Sequence, residues 1–145
     1  MSRTIGGTRG QVVVEVDLVN YVDSLLAEDG KIPAEQVRRM RATGMVDPAQ
    51  SYLILPKAVA NQLGVPVTGT AVVRRPNRRK RTRPVVDDVQ VELCGRDGVF
   101  RAIVEPRGKA VRIGRILLTA LDLIVDTDTQ TLQPRDPKGI ITEIE

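Results

Sequence analysis

Gly44-Met45-Val46-Asp47-Pro48-Ala49-Gln50-Ser51-Tyr52-Leu53-Ile54-Leu55-Pro56 is the stretch whose reading decides the fold. An apolar approach ends in one carboxylate, a short polar turn follows, and an apolar run is closed by Leu-Pro. Asp47 is the only acidic residue between Glu35 and Asp87. A carboxylate at the end of an apolar strand is costly to bury without a partner. An Asp before Pro often caps its own turn through the side chain. Local sequence alone favours that structural use. The pattern downstream brings in a chemical one.

The 145 residues suit one domain with a real core, rich in Val, Ile and Leu and holding only two Tyr, one Phe and no Trp. That mix favours strands packed into a β core. No apolar run reaches membrane-spanning length, and Val12-Val13-Val14 is too short for a signal segment. One cysteine, Cys94, forbids an intrachain disulfide, so a reducing, cytoplasmic home is expected. Histidine is absent. That removes the usual Ser-His-Asp and Cys-His nucleophiles and, with a single Cys, a structural zinc site. No Gly-rich phosphate loop follows a strand. No cofactor and no metal are expected, and any proton transfer falls to carboxylates. Cys94 reads as a small apolar residue at a strand end, and Tyr52 and Phe100 read as core fillers.

The net charge of +4 conceals a division. Arg74, Arg75, Arg78, Arg79, Lys80, Arg81 and Arg83 carry seven positive charges with no acid between them. Removing those seven from 22 basic residues leaves 15 against 18 acidic ones, a net of −3. A slightly acidic body thus bears one strongly basic segment.

In chain order, residues 1–10 read as a loose, polar, Gly-rich segment. Gln11 to Val19 alternates with Val12, Val14, Val16 and Leu18 on one face, predicting a strand. Asn20 is placed to cap a helix over Tyr21 to Glu28. Lys31 to Arg41 fits either a helix begun at Pro33 or an exposed strand. Tyr52 to Leu55 returns as a strand from the Asp47 turn. Pro56 opens a helix, Lys57 to Leu63, that stops at Gly64. Thr70 to Arg75 and Arg81 to Val86 flank Pro76-Asn77 as a basic hairpin. Val89 to Leu93 and Val99 to Val104 form a second hairpin about Gly95-Arg96-Asp97-Gly98. After a loop at 105–109, Ala110 to Ile113 is a short strand and Ile116 to Leu123 a short helix. Ile124 to Val125 and Thr129 to Gln133 make a closing hairpin. Ile140, Ile141 and Ile144 in the polar tail offer an edge strand or a dimer contact. No internal repeat is visible, so each chain holds one Asp47 turn.

Val46-Asp47-x-x-x-Ser51-x-x-x-Leu55-Pro56, followed by a helix ending in Leu63-Gly64, resembles the retropepsin-like (clan AA) aspartic peptidases. There the turn reads Val-Asp-Thr-Gly-Ala-Thr and is followed by apolar residues and Leu-Pro. Val111-Arg112-Ile113-Gly114-Arg115-Ile116-Leu117-Leu118 resembles the apolar-apolar-Gly element before that family's short helix. Leu121 to Asp126, with Gln130 and Leu132, resembles its closing segment. The order holds over residues 37–134, closest to single-domain bacterial members with an extra N-terminal segment.

The resemblance implies a mostly β, retropepsin-like half-barrel with one or two short helices, in a homodimer. It divides the chain into an N-terminal strand and extra segment (1–36), the protease domain (37–134) and a polar tail (135–145). One chain brings one aspartate, so two chains must meet about a two-fold axis and share a proton between Asp47 and its counterpart. Pro48, Ala49, Gln50 and Ser51 complete the active-site turn, and Ile113, Gly114 and Arg115 support it. The flap is Arg74, Arg75, Pro76, Asn77, Arg78, Arg79 and Lys80. The substrate is a peptide or protein. Three turn positions depart from the family. Pro48 replaces a Thr whose hydroxyl and amide cross-link the two turns, Ala49 replaces a Gly and brings a Cβ close to the carboxylate, and Gln50 replaces an Ala. Two readings therefore stand, an active endopeptidase or an inactive dimeric binding module. In the second, the basic flap contacts acidic partners or, less favoured for want of stacking aromatics, nucleic acid. No membrane contact is expected. Asp126-Thr127-Asp128 lacks the Gly and reads as a surface turn.

Overall fold

A computed structural model describes residues 11–144. The loose segment expected at 1–10 lies outside the described residues. The strands are β1 (Val12–Asn20), β2 (Arg39–Val46), β3 (Leu53–Pro56), β4 (Val67–Arg74), β5 (Lys80–Leu93), β6 (Arg96–Glu105), β7 (Val111–Ile113), β8 (Leu123–Asp126) and β9 (Thr131–Pro134). Three short helices, α1 (Tyr21–Glu28), α2 (Lys57–Leu63) and α3 (Arg115–Ala120), stand where the chain-order reading put them, although α3 ends before Leu123, and they exceed the one or two that the resemblance implies. No described helix is long and apolar enough to cross a membrane.

The main sheet runs β1-β2-β7-β3-β6-β5-β4, and β5 also pairs with β1. Six strands thus close into a barrel, and β4 projects beyond it as the outer strand of a hairpin arm. β1 is central to this closure. It pairs antiparallel with β2 along its length and with β5 through Asp17 to Asn20. Its alternation works as the sequence suggests, with Val14, Val16 and Leu18 wholly buried. Leu55, Val89, Val91, Ala102, Val111 and Ile113 fill the same interior. Each fully buried Val, Leu or Ile contributes roughly 1.5–3 kcal/mol relative to an exposed one.

β5 departs from the two separate hairpins expected. It is one 14-residue strand interrupted by a bulge, where the register with β6 shifts between Val86 and Val89. Asp88 takes φ 61° there. A bulge bends its strand. Here it separates the stretch that pairs with β1 from the stretch that carries the arm. The turn after β5 is Cys94-Gly95, not Gly95 to Gly98, and both its residues have positive φ, 55° and 74°. That backbone matches the twist of a two-residue hairpin.

The ambiguous stretch at 31–41 divides, with a 3-10 turn at Ala34–Gln36 and β2 from Arg39. Asn20 caps α1 as expected, accepting the Asp23 N–H at 3.0 Å. Its amide also donates to Leu63 O at 2.9 Å, which ties α1 to the end of α2. Gly64 ends α2 in the left-handed region, φ 68°, where glycine carries no Cβ penalty. Phe100 packs against the core, but Tyr52 is 46% exposed and is not a core filler. It sits where the chain leaves the Asp47 turn, and the Val/Leu/Ile interior already fills the barrel. The tail adds no strand among the described residues. Ile141 is held instead through its N–H to Asp122 Oδ2 and its carbonyl to Arg135.

Candidate active site

Two strands and a helix start fix the Asp47 turn. β2 leads into it and runs parallel to β7, with Val46 opposite Ile113. The Asp47 N–H extends that ladder by donating to Ile113 O at 3.0 Å. Inside the turn, Gln50 N–H donates to Asp47 O at 3.0 Å and Ala49 N–H donates to Asp47 Oδ1 at 3.1 Å. No hydrogen bond reaches Asp47 Oδ2 among the described residues. The carbonyls of Gln50 and Ser51 accept from Arg115 and Ile116 at the start of α3, at 2.9 and 3.0 Å. Arg115 Nη2 donates to Ser51 Oγ at 2.8 Å. Gly114 makes this approach feasible, because a Cβ there would lie 2.5 Å from Tyr52 O. Residues 113–116 therefore clamp the turn at both ends, at Asp47 and at Gln50-Ser51.

The departures from the family motif fit this turn. Its internal bonds run through residues 47, 49 and 50, so the N–H that Pro48 lacks is not required. No cis peptide occurs among the described residues, so the Asp47–Pro48 bond is trans. The crowding expected of Ala49 does not arise. Ala49 is exposed, avoids positive φ and directs its N–H at the carboxylate. Asp47 itself is half-buried.

Arg74 to Lys80, the residues expected to form a flap, make up the end of the β4–β5 arm. Arg78 takes φ 65°, and Asn77 Oδ1 accepts from Arg79 N–H at 3.0 Å. The arm is tethered to the barrel. Glu105 at the end of β6 accepts from Arg75 at 2.7 Å and from Arg83 at 3.4 Å. Between the arm, β3 and the loop after β6 lies an open groove of about 950 Å³. Met45, Gln50, Tyr52, Ile54 and Ile103 contribute to it, as do Arg74, Arg75, Arg81, Arg83, Arg107, Lys109 and Arg112. Gln50 belongs to the groove and Asp47 does not.

Sequence reasoning did not identify Glu105, Arg107, Lys109 and Arg112 as parts of this region. The signal was Pro106-Arg107-Gly108-Lys109, a basic turn that the topology sets across from a basic hairpin. Other acids are spent on structure. Arg101 and Thr68 hold Asp87 below the usual carboxylate range, and Arg135 with the Ile141 N–H does so for Asp122. Asp126 accepts from Asp128 and Thr129 in its own turn.

No family model and no curated protein matches the chain. Among solved structures, it is similar to the foamy viral protease-reverse transcriptase in complex with an RNA/DNA hybrid. That likeness has 15% identity and a TM-score of 0.45, over 54% of this chain and 10% of the viral one.

Proposed function

We propose that the chain is one subunit of a homodimeric aspartic endopeptidase of retropepsin-like fold, with Asp47 and its counterpart as the catalytic pair. The observation that carries this reading is the clamped Asp47 turn. Its backbone is pinned on both sides, one carboxylate oxygen is fixed by the Ala49 N–H, and the other is left for a partner. Preorganisation of this kind is what hydrolysis by a carboxylate pair demands, since a displacement of about 1 Å can cost about 100-fold in rate. Two such groups brought together cannot both ionise easily and share one proton. The ionised member then accepts a proton from water, and the protonated member hydrogen-bonds the scissile carbonyl.

A second reading is a dimeric binding module without cleavage. It is favoured by the absence of Asp47 from the groove lining and by the Oδ1 bond within its own turn.

The test incubates the full chain with a mixture of unfolded peptides from acidic to neutral pH and follows products by mass spectrometry. Cleavage that disappears in Asp47→Asn supports the peptidase. A folded dimer that cleaves nothing at any pH supports the binding module, and cleavage that survives in Asp47→Asn removes Asp47 from the chemistry.

A further inference from the structure

The groove beside the Asp47 turn has a chemistry of its own. We propose that it is a docking channel for an extended acidic polypeptide segment, one with Asp or Glu at alternate positions. This deepens the substrate side of the proposed function but rests on the groove walls, not on Asp47 as a catalyst.

The first support is charge. Seven cationic side chains line the groove and Glu105 is its one acid, leaving the lining six charges positive. Glu105 is itself engaged by Arg75 and Arg83, so it orients those two guanidiniums and leaves the remaining cations unneutralised within the lining. The cations come from separate elements. Arg81 and Arg83 come from the arm, while Arg107 and Lys109 come from the loop after β6 and Arg112 from β7. Like charges gathered around an open groove destabilise one another and favour an anionic occupant.

The second support is spacing. In the arm, Val73 lies opposite Arg81 and Ala71 opposite Arg83, so these residues share one face of the hairpin. Arg81 and Arg83 are two residues apart on a strand, about 6.7 Å, which is also the spacing of alternate side chains in an extended peptide. Acidic side chains at every second position therefore reach the exposed Arg81 and, beside its contact with Glu105, the half-buried Arg83 at matching intervals.

The third support separates a peptide from nucleic acid. Met45, Ile54 and Ile103 give the lining apolar positions beside Arg112, which pairs with both Met45 and Ile54, and these suit the aliphatic residues between acids. Tyr52 is the one aromatic in the lining. Single-stranded nucleic acid is ordinarily held by successive stacking platforms as well as by charge.

The test uses the full chain carrying Asp47→Asn, so that binding is measured with Asp47 chemistry removed. The probes are a fluorescent peptide of alternating Glu and Val, a Ser-Val peptide of the same length, and an oligothymidine of matched charge. The Glu-Val peptide is expected to bind at least about tenfold more tightly than either of the others, with affinity falling as salt rises. Charge reversal of two exposed groove residues, Arg81→Glu with Arg112→Glu, is expected to weaken it by about tenfold or more. Lys57→Glu, on the exposed face of α2 and outside the groove, is expected to leave it within about twofold. Equal binding of the Ser-Val peptide, tighter binding of the oligothymidine, or indifference to the double reversal in a folded protein overturns the proposal. Because Asp47→Asn is used throughout, failure here leaves the cleavage experiment to decide the peptidase reading separately.

Discussion

Asp23 and Asp47 show how two residues of one type are given different work by their neighbours. Asp23 is buried and accepts from the Arg38 N–H and from two guanidinium nitrogens, at 2.8 to 3.0 Å. The Arg38 side-chain bonds hold its carboxyl below the usual range while burial pushes the other way. A depressed folded pKa stabilises the fold above the unfolded value of about 3.8, and that contribution is lost as pH falls through the folded pKa. Chemical denaturation of wild type and Asp23→Asn is therefore expected to show a gap at neutral pH that narrows below about pH 4. A constant gap across that range contradicts the assignment. Asn20, the neighbouring cap, serves both α1 and Leu63 O. Asn20→Ala is expected to cost about 1–2 kcal/mol, measured by urea unfolding. Asp47 accepts from a single backbone donor, the Ala49 N–H, and the proposed catalytic role rests on that difference.

Among the elements, the arm joins sequence and function most directly. It is tied to the barrel through Glu105, near the tip by the partly exposed Arg75 and lower down by the part-buried Arg83, and a partly exposed pair of this kind is individually weak, about 1 kcal/mol or less. Glu105→Gln is expected to leave the melting temperature within a few degrees. Amide exchange across residues 67–86 should rise, as read by mass spectrometry. Unchanged exchange in the arm contradicts the tether. The elements legible in the sequence were those with strong local signals. β1 announced itself by alternation, α1 by Asn20, and α2 by Pro56 and Gly64. The Asp47 turn was legible from its apolar flanks. What stayed hidden depended on pairing across the chain. The bulge at Asp87-Asp88 gives no composition signal, so β5 read as parts of two hairpins. Tyr52 read as core because an aromatic in an apolar run is usually buried. Arg107, Lys109 and Arg112 join the groove lining only once β7 is placed beside β3.

At the scale of the whole molecule, the barrel closes within one chain. β1, read from sequence as part of an additional N-terminal segment, lies between β2 and β5 and contributes five buried apolar side chains, Val12, Val14, Val16, Leu18 and Val19. A Val16→Ala and Leu18→Ala chain is expected to lose several kcal/mol and to unfold at moderate temperature, because both side chains are fully buried. A melting point near wild type contradicts the central role of β1. The single Asp47 per chain makes pairing of two chains the condition for the proposed chemistry. The most direct measurement is the separation of the two Asp47 carboxylates in a crystal structure of the assembled protein. A separation near hydrogen-bonding distance, about 3 Å, is the expected result. A monomer, or a dimer holding the two Asp47 side chains on opposite outer surfaces, contradicts the catalytic pair.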